Sequence, residues 1–147
     1  MQLTELDPRW VGAGGHGVYQ QGPQCTKCFP NEDGLASSSC DVCDGRGYEL
    51  VPAPERHGVG VSFLCPCAPC AAKRTGSKDT DFYLRVFVGL ANPLDGGPAH
   101  DPREGAQWTR TGDTFETLTL RPSILRSEER HGCGWHGFVT DGRVDTV

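Results

Sequence analysis

The sequence predicts a small, mainly β domain whose modest hydrophobic core is supplemented by cysteine clusters. Three observations carry that expectation. Gly 20 and Pro 11 make up about a fifth of the 147 residues, which excludes a helical bundle or coiled coil and suits short strands joined by turns. Several runs alternate apolar and polar residues with the period of two of a half-buried strand. Hydrophobic residues are only 36% of the chain while cysteine numbers 8, and so small a core needs a staple.

Taken in order, Trp10 is expected to dock on the core, followed by a flexible turn through Gly12-Ala13-Gly14-Gly15-His16-Gly17. That glycine run follows no strand and opens no helix, so it is a poor phosphate loop. Gly22 to Tyr48 is turn-rich and holds four cysteines with few apolar residues between them. Val59 to Leu64 reads as a strand running into Cys65. Phe82 to Leu90 is the strongest strand, with Phe82, Leu84, Val86, Val88 and Leu90 on one face. Asn92 to Gly105 is a loop. Thr114 to Leu120 is a third strand, ended by Pro122, and Ser123-Ile124-Leu125-Arg126 is expected as a short helical turn. Asp141-Gly142 between residues 137–140 and 143–146 calls for a hairpin with a tight primed turn. The organisation expected is one domain over 1–147, with an inserted knuckle at 22–50 and a β-rich metal-binding core at 59–147.

No stretch approaches the roughly 18 apolar residues of a membrane span. The start has neither a basic nor an apolar signal region. The expected location is therefore the cytoplasm, where grouped cysteines read as metal ligands more than as disulfides. Cys25-x-x-Cys28 and Cys40-x-x-Cys43 present two sulfurs each from a tight turn, and two such turns complete a tetrahedron for one zinc ion. Gly45 and Gly47 let backbone amides approach those sulfurs. Cys65-Pro66-Cys67-Ala68-Pro69-Cys70 needs a distant ligand to close a site, and Cys133-Gly134-Trp135-His136 offers one. The expected second zinc site is Cys65, Cys67, Cys133 and His136, with Cys70 or His131 as substitutes. Trp135 would then shield the metal from water.

The second knuckle, Cys40-Asp41-Val42-Cys43-Asp44-Gly45-Arg46-Gly47, resembles the repeat of DnaJ-type chaperone zinc domains. Only one repeat is complete, so the likeness implies a zinc knuckle of that shape and no chaperone role. Cys133-Gly134-Trp135-His136-Gly137 resembles the second ligand loop of Rieske iron–sulfur proteins, but Cys65-Pro66-Cys67 lacks the histidine that the first loop would need. The fold expected is accordingly Rieske-like or zinc-ribbon-like, holding single metal ions.

A broader resemblance rests on Leu6-Asp7-Pro8-Arg9-Trp10-Val11, Phe63-Leu64-Cys65-Pro66-Cys67, Asn92-Pro93-Leu94-Asp95-Gly96-Gly97, Trp108, the run from Gly112 to Ile124, and Trp135-His136-Gly137-Phe138. These residues resemble a phage-associated family of predicted metal-binding domains, often labelled ammonia monooxygenase. Relatives also lie beside bacterial ubiquitin-like conjugation genes. The resemblance covers about residues 3–10 and 59–147, leaving the first knuckle as an insert. It implies metal binding and a phage origin. The monooxygenase label does not suit a chain without membrane spans.

The functional expectation is a phage-encoded zinc-binding protein, non-enzymatic, that binds a host or phage protein partner through its surface. The alternative is a metal-dependent hydrolase using the second site with His131 as base. A third reading, nucleic-acid binding by the knuckle, is opposed by the net charge of −5. No residue is assigned a catalytic role. Thr117, Thr119 and Ser123 are weighed as catalytic hydroxyls and set below strand and turn roles. His57, His100 and His131 are expected in solvent, and Asp95 and Asp101 in a solvated loop.

Overall fold

The computed structural model describes residues 1–15, 17–28, 40–100, 106–128 and 132–147. The chain divides into two units, Met1–Gly12 with His57–Val147, and Ala13–Arg56. The knuckle expected at 22–50 falls within the second.

The first unit is a curled sheet. Its strands are β1 (Arg9–Ala13), β4 (Arg56–Leu64), β5 (Arg85–Leu90), β6 (Gln107–Thr111), β7 (Thr119–Leu125), β8 (His136–Thr140) and β9 (Arg143–Thr146), in the order β1-β4-β5-β6-β7-β8-β9. Neighbours from β4 onward run antiparallel except β5 and β6, which run parallel and pair only at Gly89↔Gln107 and Leu90↔Trp108. Its core buries Val61, Phe63, Val86, Val88, Leu90, Leu120, Ile124, Val139 and Val144. A short 3-10 turn, Leu3–Leu6, adds two fully buried leucines, Leu3 and Leu6. It is held by Leu3 N–H to Gly142 O at 2.8 Å and Val144 N–H to Met1 O at 2.9 Å. Trp10 packs on this core and stacks on Phe115 at 4.9 Å.

The hairpin forms as its turn chemistry requires: Asp141 (φ 48) and Gly142 (φ 75) both take left-handed backbone. Three expectations are corrected. Phe82–Leu84 is a 3-10 turn, not the start of β5, and Phe82 is exposed. The cause is upstream: the helices α1 (Ala68–Lys73) and α2 (Lys78–Asp81) deliver the chain to β5, and the Asp81 carboxylate accepts from the Thr75 and Gly76 amides at 2.8 and 2.9 Å. The third strand begins at Thr119, because Thr114 and Thr117 close a turn with Thr117 N–H to Thr114 O at 3.2 Å. Pro122 does not end it. Ser123–Leu125 continues β7 rather than turning helically, since β8 supplies pairing at Ile124↔Gly137 and Leu125↔His136.

The second unit holds β2 (Tyr19–Gln24) and β3 (Tyr48–Pro52), an antiparallel pair, and between them the first cysteine group. Apart from those cysteines it has no buried apolar cluster among the described residues.

Candidate metal centres and a serine–histidine pair

In the second unit Cys25, Cys28, Cys40 and Cys43 converge, their sulfurs all within 4.8 Å of one another. Asp44 N–H bonds to Cys40 O, and Cys25 N–H to Gly47 O, each at 2.9 Å. Asp44, Gly45 and Gly47 all take positive φ, which lets the knuckle double back over its own sulfurs. Backbone amides of Cys43 and Val42 hold the Cys40 thiol below its ordinary pKa. Burial pushes Cys43 up, but the Gly47 amide and the neighbouring cysteines outweigh it and bring it down to about 6. These groups favour the thiolate, the form that binds metal.

The first unit brings together Cys65, Cys67, Cys70 and Cys133, again within 4.8 Å. Cys65 ends β4. Cys67 caps α1, where its sulfur accepts the Cys70 amide at 3.4 Å, and the first helical turn sets Cys70 beside it. Cys133 arrives just ahead of β8. Burial raises the Cys65 and Cys70 thiols. Burial also opposes ionisation of Cys133, yet the Trp135 amide and the other cysteines lower it to about 7. Arg126 donates from Nη1 to both Cys70 and Cys133 sulfurs at 3.4 Å.

Both groups fit a tetrahedral ion. With metal–sulfur bonds of about 2.3 Å, sulfurs at the corners of a tetrahedron lie about 3.8 Å apart. The measured separations are 3.9 Å (Cys25–Cys40), 3.3 Å (Cys28–Cys43), 3.5 Å (Cys65–Cys133) and 3.6 Å (Cys67–Cys133). Disulfides would require about 2.05 Å. Two all-cysteine groups of this size are consistent with two zinc ions.

The fourth corner of the second group is Cys70, and His136 lies outside it. The reason is strand alternation. Trp135 turns inward, where it is buried against Phe63 with ring centres 6.1 Å apart and donates to Thr146 at 2.9 Å. A Cβ on Gly137 would sit 2.3 Å from the Trp135 ring, so glycine is needed for that packing. His136, between them, goes to the opposite face. There its Nε2 lies 2.9 Å from Oγ of Ser123.

Leu125 pairs with His136, so alternation puts Ser123, two residues before Leu125, on the face of His136, and the β7–β8 register shifts between Leu120 and Ile124 beside it. The Trp108 indole donates to Ser123 O at 3.2 Å and anchors this stretch from β6. The other hydroxyls weighed from sequence are structural: Thr117 Oγ1 bonds to Thr114 Oγ1 at 2.8 Å, and Thr119 Oγ1 accepts the Asp141 amide at 2.9 Å. His57 and His100 are exposed. Asp95 accepts from Gly97 N–H at 2.9 Å, an Asx turn. His131 and Asp101 lie outside the described residues. The sequence set Ser123 below a strand or turn role, and only strand pairing reveals its partner.

The pair and the second cysteine group share two chain segments. Ser123 and Arg126 stand three residues apart at the end of β7, and Cys133 and His136 three apart at the start of β8. Arg126 N–H to Trp135 O at 2.8 Å ties the segments together.

Residues 96–147, about a third of the chain, match the model of a family described as bacterial ubiquitination-like system serine protease (BubE). The matched segment contains Ser123, Cys133 and His136, and its description names neither a phage nor ammonia oxidation. Neither a curated protein nor a solved structure matches the chain.

Proposed function

We propose that this protein is a serine hydrolase cleaving a peptide-type bond, with Ser123 as nucleophile and His136 as general base, and that it serves a bacterial ubiquitination-like system. The observation that carries the reading is the 2.9 Å contact between Ser123 Oγ and His136 Nε2 inside the segment similar to a serine protease family. A hydroxyl is a weak nucleophile unless a neighbouring base accepts its proton. Ser123 O–H donates to Nε2; Oγ attacks the carbonyl carbon as the proton passes to the imidazole. The carbon–nitrogen bond then breaks, and the imidazolium returns the proton to the departing amine. Water, deprotonated by the same imidazole, hydrolyses the resulting ester and restores the serine.

Four cysteines close each metal group, and a closed site leaves no position for a reacting water. This supports structural zinc over the metal-dependent hydrolase expected as an alternative. Zinc at Cys65, Cys67, Cys70 and Cys133 would hold the ends of β7 and β8 in register, and with them the reacting pair. The protein partner expected from sequence is then the polypeptide substrate. Among the described residues no helix is long and apolar enough to cross a membrane.

A small alkyl fluorophosphonate tests the reading. It should modify Ser123 covalently. Ser123→Ala should abolish labelling, and His136→Ala should slow it by more than about 100-fold, the scale of general-base assistance, with both metals retained. Labelling that survives Ser123→Ala, or metal lost with His136→Ala, would overturn it.

A further inference from the structure

The side chains around the reacting pair share one character. His136 and Phe138 stand two apart on β8, so they project from the same face, and their ring centres lie 6.3 Å apart. Leu125 is the direct cross-strand partner of His136. Arg126 N–H to Trp135 O at 2.8 Å marks the next pair along as hydrogen-bonded, so Leu125 and His136 form the closer, non-hydrogen-bonded kind. On the other flank Val147 N–H bonds to His136 O at 2.9 Å. All three apolar neighbours are exposed: Phe138 at 38%, Leu125 at 58% and Val147 at 69%.

Single exposed apolar side chains are ordinary on a protein surface and call for no explanation. These are not scattered. They collect around one imidazole, while the same face becomes polar toward the hairpin, with Thr140 and Arg143 exposed and Asp145 ion-paired to Arg143 at 3.7 Å. The register shift gives Phe138 a particular place among them. Leu120 pairs with Val139 and Ile124 with Gly137, so Arg121, Pro122 and Ser123 all stand opposite Phe138 alone. Phe138 is thus the β8 residue that faces the segment carrying the nucleophile, and Leu125 follows Ser123 by two on β7. The 2.9 Å contact between hydroxyl and imidazole therefore has an exposed apolar side chain beside it on each strand.

We propose that Phe138, with Leu125 beside it, is the specificity platform of this hydrolase and takes the large apolar side chain of the residue that supplies the acyl group. This inference rests on the serine hydrolase reading. In the ester formed on Ser123 the acyl carbon is bonded to Oγ, and the Cβ of that residue lies only two bonds further on, within reach of the side chains adjoining Ser123. That residue stays in place through both the attack and the hydrolysis of the ester, whereas the amine departs after the first. A platform that serves both steps therefore belongs to the acyl side. The side chains of Phe138 and Leu125 offer no hydrogen-bonding group, so an aliphatic or aromatic occupant gains from them, and a charged one would lose its water without return. The preferred substrate is a polypeptide with leucine or a similarly large apolar residue immediately before the scissile bond. Glycine in that position leaves the platform bare.

The experiment uses the metal-loaded protein and two N-acetylated aminoalkyl diphenyl phosphonates, the glycine analogue and the leucine analogue, each losing phenol as Ser123 Oγ bonds to phosphorus. The leucine analogue should label Ser123 at least about tenfold faster, within the range that apolar side-chain contacts give an enzyme pocket. Phe138→Ala should bring the two rates together by slowing the leucine analogue alone, and Phe138→Leu should keep most of the preference. Damage to the fold would slow both analogues and a small alkyl fluorophosphonate together, so the ratio of rates reports the platform and the fluorophosphonate rate reports the pair. Equal rates on the unaltered protein, or a preference undiminished in Phe138→Ala, would overturn the platform while fluorophosphonate labelling still upheld the catalytic pair. If none of the three reagents modifies Ser123, the hydrolase reading falls and the platform with it.

Discussion

The two cysteine groups have the same ligands and nearly the same dimensions, yet they sit in opposite physical settings. Cys25, Cys28, Cys40 and Cys43 are themselves the buried cluster of their unit, with no apolar side chains behind them among the described residues. Cys65, Cys67, Cys70 and Cys133 border a core that includes Phe63, Leu90, Leu118, Leu120 and Trp135. In the first setting a metal would substitute for a core. In the second it would pin one edge of a fold that already has one. The same chemistry would then carry foldedness in one unit and positional accuracy in the other.

Removing metal should separate them most sharply. Structural zinc contributes on the order of 10 kcal/mol or more of apparent binding free energy, which for a coreless segment is its folding free energy. A strong chelator should abolish amide-exchange protection around the Cys25–Gly47 bond while β5, β7, β8 and β9 keep theirs. Protection lost together in both units would break the comparison.

A smaller effect is expected from the second group. Cys70→Ser should release one of two metals, counted by elemental analysis. It should lower the melting temperature by about 10 °C, the shift that about 2 kcal/mol produces in a domain of this size. His136→Ala should release none. Metal loss with His136→Ala and not with Cys70→Ser would restore the ligand set expected from sequence.

The smallest effect concerns charge. Four thiolates around a divalent ion carry a net double negative charge, which Arg126 partly offsets through its two contacts at 3.4 Å. The facing sulfurs accordingly hold the guanidinium more firmly protonated despite its burial. Arg126→Met should speed transfer of one metal to a chelator about fivefold, corresponding to about 1 kcal/mol for a half-buried charge-assisted hydrogen bond. An unchanged rate would show that Arg126 contributes nothing to holding this group.

These contrasts mark what was legible in the sequence. The knuckle spacing at Cys25–Cys43 needs no distant partner, so four ligands could be read directly. Alternation found most of β4, all of β5 and the final hairpin, because period two is a local property of the chain. The same alternation was over-extended to Phe82, where the chain enters β5 through a 3-10 turn, and under-extended past Pro122, where β8 supplies pairing from afar.

What the sequence determined by itself is therefore local: turns fixed by Asp141-Gly142, sulfurs paired by short spacing, strands announced by their period, and too few apolar residues near the knuckle to build a core. What the tertiary structure decided depends on meetings between distant segments. Cys70 joined Cys133 and His136 did not, because a buried Trp135 on one face of a strand commits the next residue to the other. Ser123 met His136 because the pairing of Leu125 with His136 brought two distant segments together with both side chains on one face. Neither outcome is encoded in spacing. Both follow from the requirement that a strand bury one face and expose the other, which is settled only when its neighbour is in place.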